Sequence, residues 1–264
     1  MRKYSFLGAG NMAYAMICGM GESDVTVYDK IASQYDKFSA AVKRAASVED
    51  AVRYADFIVL AVKPQNFKEL LGQIKDSGVD LDGKIFISIA AGVKISSICN
   101  ALGREVAVVR TMPNTPLLIG HGVTALSRND LVSDAEFEEI NDLFAAIGHV
   151  ITLDESKMNA VIAATSSAPA YVYHFIDCMV KEAEAQGLDA DVMLKAVCET
   201  VKGSAEMVLR SDKTPAELVR MVTSPNGTTE RAMKVFADNG FEKTVASAMK
   251  ACTERAEELS AELD

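Results

Sequence analysis

The run Tyr4-Ser5-Phe6-Leu7-Gly8-Ala9-Gly10-Asn11-Met12-Ala13 decides how this chain is read. Tyr4–Leu7 has the composition of a strand, and the residues from Asn11 to about Met20 that of a helix. Between them stands G-x-G-x-x-A, the alanine-ending form of a dinucleotide fingerprint. Gly8 permits a tight turn. Gly10 lets the backbone approach a pyrophosphate at the helix start, where Asn11 and Met12 follow, and Ala13 lets helix and strand lie close. A second strand, Val25–Tyr28, ends at Asp29, about 20 residues on. An acid there accepts hydrogen bonds from the adenosine ribose diol and repels a 2′-phosphate, which points to NADH over NADPH. Lys30 beside it tempers that preference by offering a partner to a phosphate.

Outward from this motif, short β-rich runs alternate with helical stretches as far as residue 154. The runs are Tyr4–Leu7, Val25–Tyr28, Phe57–Val62, Ile85–Ala90, Val106–Arg110, Val123–Leu126 and Val150–Leu153. Phe57-Ile58-Val59-Leu60-Ala61-Val62 is apolar at every position, as in a strand buried on both faces of a parallel sheet. Asn66–Lys75 and Ser133–Ile147 have amphipathic spacing, and Ser133 with its acidic first turn marks an N-cap. From residue 155 the periodicity turns helical, over Met158–Ala185, Val192–Leu209 and Phe241–Leu259, with Pro169 inside the first of these and expected to bend it. The expected architecture is an N-terminal α/β domain, 1–154, with a Rossmann-type doubly wound sheet, and an all-helical domain, 155–264.

Composition sets the outer limits. The chain has 264 residues, 49% apolar and 24% charged, enough for a full core. A net charge of −10, spread over both halves, argues against nucleic-acid or anionic-membrane partners. The cysteines are odd in number and contain no C-x-x-C pair, which fits a reduced, cytoplasmic protein without a disulfide framework. His121, His149 and His174 lack metal-ligand spacing, so no metal site is expected. The uncharged stretch Tyr4–Gly21 behind Met1-Arg2-Lys3 imitates a secretion signal. Gly8, Gly10 and Asn11 interrupt it, and its reading as strand, turn and helix accounts for it better.

Two proline-bearing loops follow strands at their C-terminal ends, where open α/β sheets bind ligands. They are Ala61-Val62-Lys63-Pro64-Gln65 and Arg110-Thr111-Met112-Pro113-Asn114-Thr115-Pro116. Both are expected to shape a nicotinamide pocket, with Ala61, Val62, Lys63, Pro64, Met112, Pro113 and Asn114 as candidates. Ser224-Pro225-Asn226-Gly227-Thr228-Thr229 reads as a turn entering a further helix, whose free N–H groups would suit a carboxylate.

Val62-Lys63-Pro64-Gln65, Met112-Pro113-Asn114-Thr115-Pro116, Ala168-Pro169-Ala170-Tyr171 and Ser224–Thr229 occur in that order behind the fingerprint. From about residue 3 to 260 the chain resembles the pyrroline-5-carboxylate reductase family. The resemblance implies hydride transfer from NADPH or NADH to the C=N carbon of 1-pyrroline-5-carboxylate, giving L-proline. It implies a homodimer through the helical domain, assembling further into larger homo-oligomers. It places the substrate carboxylate on Ser224, Asn226, Gly227, Thr228 and Thr229, and makes Thr229 and Ser167 the catalytic candidates. On the residues alone, Thr228 and Thr229 read as simple helix capping. Ser166 and Ala168 depart from the family, which usually has Ser-Gly-Ser-Gly-Pro here, and their added Cβ atoms are expected to crowd the pocket. Two other readings remain. A β-hydroxyacid dehydrogenase would need a glycine-rich segment before Lys157 and an Asn at 161, and both are missing. A non-catalytic nucleotide sensor rests only on Ser166 and Ala168.

Overall fold

The computed structural model describes residues 2–20 and 24–263. Its elements run β1 (Lys3–Leu7), α1 (Asn11–Gly19), β2 (Asp24–Tyr28), β3 (Lys43–Arg44), α2 (Val48–Tyr54), β4 (Phe57–Leu60), α3 (Phe67–Asp76), β5 (Ile85–Ser88), α4 (Ile95–Leu102), β6 (Ala107–Pro113), β7 (Gly122–Arg128), α5 (Asp134–Ala145) and β8 (Gly148–Thr152). Helices then follow: α6 (Met158–Val161), α7 (Ala168–Ala185), α8 (Ala190–Arg210), α9 (Pro215–Val222), α10 (Thr228–Asp238) and α11 (Phe241–Leu263). By contacts, the chain forms two compact units. One comprises the residues up to Ala168 with those from Ala251 on, and the other is Pro169–Lys250.

The first unit is built on an eight-stranded sheet in the order β3-β2-β1-β4-β5-β6-β7-β8. The all-apolar strands are explained by two separate cores. Along β4, Phe57 and Val59 enter one cluster with Ala13 and Met16 of α1 and Ile140 and Phe144 of α5. Ile58 and Leu60 enter another, with Val52 of α2, Phe67, Leu70 and Ile74 of α3, and Ile98 of α4. Successive side chains point to opposite faces, so a strand covered by helices on both sides can be apolar at every position. The doubly wound expectation is met.

Two features of the sheet differ from the expectation. β7 runs antiparallel to β6, interrupting an otherwise parallel sheet. The connection between them is one short 3-10 turn, Thr115–Ile119, and a parallel return needs a crossover of a dozen or more residues. β3 leaves no mark in the sequence because it is only Lys43-Arg44, an exposed edge pair with no apolar residue. The helix expected over Met158–Ala185 is also interrupted, by a π-helical turn, Ile162–Ser166. Ser167 N–H donates to Ile162 O across five residues, at 2.9 Å. Pro169 therefore falls in the first turn of α7, where its missing donor costs nothing, and does not bend a helix interior. α5 begins as expected: Ser133 and Glu136 form a reciprocal capping box.

A polar network inside the first unit ties its last segment to the sheet. Arg110 on β6 is 2% exposed. It donates to Asn159 Oδ1 at 2.6 Å and, at 3.5 Å, to Glu155 Oε1. The same Glu155 oxygen accepts from Ile95 N–H, the first residue of α4. Asn159 continues to the Ser260 hydroxyl at 3.2 Å, which donates to Gly92 O at 2.6 Å. Burial pulls the Arg110 guanidinium below its usual pKa, with Glu155 opposing. A buried cation of this kind persists because every partner is in place. Arg110→Met removes the hub and takes the guanidinium donor from Asn159 Oδ1 and Glu155, which keep Ser260 and Ile95 N–H as their respective partners. The variant should lose about 2 kcal/mol of stability in chemical denaturation, and an unchanged midpoint would show that the network carries no stability.

Candidate functional site

β1 pairs in parallel with β2 on one side and β4 on the other, so the strand order reverses at β1. Ligands of open α/β sheets bind at such a switch point, beyond the strand ends. Here the backbone is unusually close. Gly8 N–H donates to Tyr28 O at 2.8 Å and Ala61 N–H donates to Leu7 O at 2.9 Å. Gly8 has φ +111°, and a Cβ on it would lie 2.5 Å from Ala61 O. Only glycine fits. Gly10 differs: a Cβ there would meet nothing within 4 Å, leaving open space in front of the start of α1. No side chain caps that start. An uncapped helix N-terminus behind an open glycine is a cradle for phosphate oxygens, so the residues present fit a dinucleotide.

Gly8, Gly10, Asp29, Lys30, Ala61, Val62 and Lys63 line one cleft of about 410 Å³. Asn11, Met12, Pro64, Met112, Pro113 and Asn114 stand outside that lining. Asn114 is 7% exposed and bridges two segments: its amide donates to Thr165 O at 3.1 Å and its carbonyl accepts from Val123 N–H at 2.8 Å. Met112 packs in a cluster with Met158, Ile162 and Ala256. Asp29 is held on both oxygens, accepting from Ala9 N–H at 2.7 Å and from Ile31 N–H at 2.8 Å. Its backbone is gripped as well. The Tyr35 hydroxyl accepts from Asp29 N–H at 2.6 Å, and Arg44 lies over the Tyr35 ring. The carboxylate thus presents its remaining lone pairs in one orientation while steadying the glycine turn through Ala9. Glu69 and Gln73 also line the cleft and were not singled out in the sequence. Their i, i+4 spacing on α3 was the only signal available.

Ser167 follows the π-helical turn, and its hydroxyl accepts from the Cys252 thiol at 3.3 Å. That leaves the Ser167 O–H free to donate elsewhere. Ser166 and Ala168 need no glycine conformation, since Asn226 is the one non-glycine residue with positive φ among those described. The expected cost of replacing the two glycines is therefore not a backbone strain. Ser166 Oγ is buried without a hydrogen-bond partner.

The 224–229 turn belongs to the second unit. Gly227 N–H donates to Ser224 O at 3.0 Å, and Asn226 takes φ 59°, which Asn tolerates. A Cβ on Gly227 would lie 2.5 Å from Ser224 Oγ and 3.0 Å from Ser224 O, so a larger residue would have to turn the serine side chain aside. Gly227 caps α10 with no side-chain hydrogen bond, while Glu230 is drawn back to Asn226 N–H at 2.9 Å. Thr228 and Thr229 are the first two residues of the helix. Among the described residues no cluster of three His, Cys, Asp or Glu could hold a metal ion, and no helix is long and apolar enough to cross a membrane.

Residues 155–259 match the family described as pyrroline-5-carboxylate reductase dimerisation, and residues 3–92 match NADP oxidoreductase coenzyme F420-dependent. The chain is 38% identical over 269 residues to the pyrroline-5-carboxylate reductase of Pseudomonas aeruginosa, covering 99% of this chain and 98% of that one. It is 35% identical to the Escherichia coli enzyme of the same name, covering 98% of each. Its structure is similar to that of Plasmodium falciparum pyrroline carboxylate reductase with NADP bound, with TM-score 0.90, 30% identity and 98% of each chain covered.

The two glycines predict different failures. Gly8→Ala should lower stability by more than about 2 kcal/mol through strain and clash. Gly10→Ala should stay within about 1 kcal/mol of the parent in denaturation. It should nevertheless weaken nicotinamide dinucleotide binding about tenfold or more, read by fluorescence titration.

Proposed function

The chain belongs to the pyrroline-5-carboxylate reductase family, and from that premise we propose which of its residues do what in reducing the imine. It is an NAD(P)H-dependent oxidoreductase that converts 1-pyrroline-5-carboxylate to proline. The reduced nicotinamide supplies the hydride that reaches the C=N carbon. Gly8 and Gly10 seat the pyrophosphate against α1, and Asp29 takes the adenosine ribose diol. The Ala61–Pro64 and Met112–Asn114 loops shape the nicotinamide end, with Asn11 and Met12 at the phosphates.

The substrate carboxylate is held by the start of α10 and the turn Ser224, Asn226, Gly227, Thr228. The uncapped helix start supports this, because its N–H groups and dipole favour an anion. Thr229 orients or relays the proton that the ring nitrogen holds as the carbon accepts hydride. Ser167 donates a second hydrogen bond, supported by the Cys252 thiol that occupies its lone pair. No strong acid is needed, since a cyclic imine is basic enough to be partly protonated already. Asp29 makes NADH the preferred cofactor: its fixed carboxylate repels a 2′-phosphate.

The second unit supports a homodimer, and larger assemblies of it, through the helical domain. α7, α9 and α10 contain no buried residue, and Val197 is the one in α8. Tyr173, Phe175, Met207, Met221, Val235 and Phe236 are all exposed in the isolated chain. Helices that bury so little cannot offset their own ordering entropy without a partner. All five cysteines are free, which supports a cytoplasmic location. The expected division at residue 154, into a dinucleotide domain 1–154 and a helical domain 155–264, is retained as the functional division.

Two measurements test this. Thr229→Ala should lower kcat with racemic pyrroline-5-carboxylate about ten- to a hundredfold while leaving the NADH dissociation constant unaltered. Full turnover in that variant removes Thr229 from the mechanism. Light scattering should give at least twice the 28.3 kDa of one chain, and a stable monomer would refute the helical-domain dimer.

A further inference from the structure

We propose that Glu69 is a positioning residue for cofactor choice: by pairing with Lys30 it withholds that ammonium from a ribose 2′-phosphate and sets a second carboxylate beside Asp29. The proposal rests on the reading that Asp29 faces the adenosine ribose. Asp29, Lys30 and Glu69 line the same cleft, at the C-terminal end of β2 and on the facing side of α3. Lys30 follows Asp29 directly, and in a nucleotide site of this class a basic residue at that place is what accommodates the extra phosphate of NADPH. Here its Nζ is paired to Glu69 Oε1. The same Glu69 oxygen accepts from Gln73 Nε2 at 3.2 Å, one turn further along α3, which holds the carboxylate in place.

The pair contributes little to the fold. Both side chains are 57% exposed, and exposed ion pairs contribute almost nothing to stability. Its effect is on the cleft. With Lys30 neutralised by Glu69, the charge of Asp29 stands uncompensated at the ribose, and a doubly charged phosphate placed there meets two carboxylates and one occupied ammonium. A ribose diol carries no charge and suffers none of this. Sequence distance hides the arrangement, because Lys30 and Glu69 are 39 residues apart.

The test compares the wild type, Glu69→Gln and the double variant Lys30→Ala/Glu69→Gln. The probes are adenosine 2′,5′-bisphosphate and 5′-AMP, titrated calorimetrically, followed by kinetics with NADPH and NADH. Glu69→Gln should tighten the bisphosphate about tenfold relative to 5′-AMP. The KM for NADPH should fall by a similar factor, with the gain in KM and not in kcat. Raising the salt from about 0.05 to about 0.5 M should shrink the gain, because the charges are exposed. Adding Lys30→Ala should abolish it. An unchanged bisphosphate-to-AMP ratio in Glu69→Gln overturns the proposal, as does a gain that survives in the double variant. A wild type that already prefers the bisphosphate defeats the reading of Asp29 instead, and needs no variant to be seen.

Discussion

Gly8 is the point at which three backbone segments of the first unit converge, and the site depends on how closely they do so. Its N–H is bonded to the end of β2, its neighbour Leu7 is bonded to the residue after β4, and its Cα faces the Ala61 carbonyl with no space for a Cβ. This contact fixes where the chain leaves β1 and therefore where α1 begins. Once α1 begins there, its start has no side-chain cap, and Gly10 in front of it lines the cleft. Asp29 completes the arrangement by accepting from Ala9 N–H, so the acid proposed for the ribose also steadies the glycine turn.

The charge of the chain sharpens what such a site must accomplish. With a net charge of −10, a chain that takes an anionic cofactor and an anionic substrate must hold them by local features inside a field that is repulsive overall. The α1 and α10 starts are each entered through glycine and neither is capped by a side chain, and in the proposed assignment they stand in for the clustered Lys and Arg of nucleic-acid proteins. Local dipoles act at short range, so they tolerate an acidic surround and favour ligands whose charge is small and well placed. The second unit carries a different constraint. Its helices keep large apolar side chains exposed, so its stability and its assembly are one quantity.

Much of this was legible in the sequence because the signals are local. The consecutive apolar residues of β4 announced burial on both faces, and Ser133 with Glu136 announced the start of α5. Spacing alone assigns the glycines at 8 and 10 separate tasks, and their surroundings differ: a Cβ at Gly8 would meet the Ala61 carbonyl, and one at Gly10 open space. Reading failed where orientation or register depended on something non-local. The direction of β7 followed from the shortness of the Thr115–Ile119 turn, and the position of Pro169 from a single extra residue in a π-helical turn. Asn114 reads as a residue of its loop, yet its amide bridges two other segments, one of them 51 residues away.

By itself the sequence determined the doubly wound first half, the helical second half and the two helix starts entered through glycine. Periodicity, capping and glycine placement act within a few residues and leave their mark in the order of letters. Only the tertiary structure decided that Asp29 is held on both oxygens, that Arg110 is a buried hub for Asn159 and Glu155, and that Lys30 is occupied by Glu69. Each of those depends on side chains from separate elements meeting at hydrogen-bond distance, and the folded backbone sets that meeting.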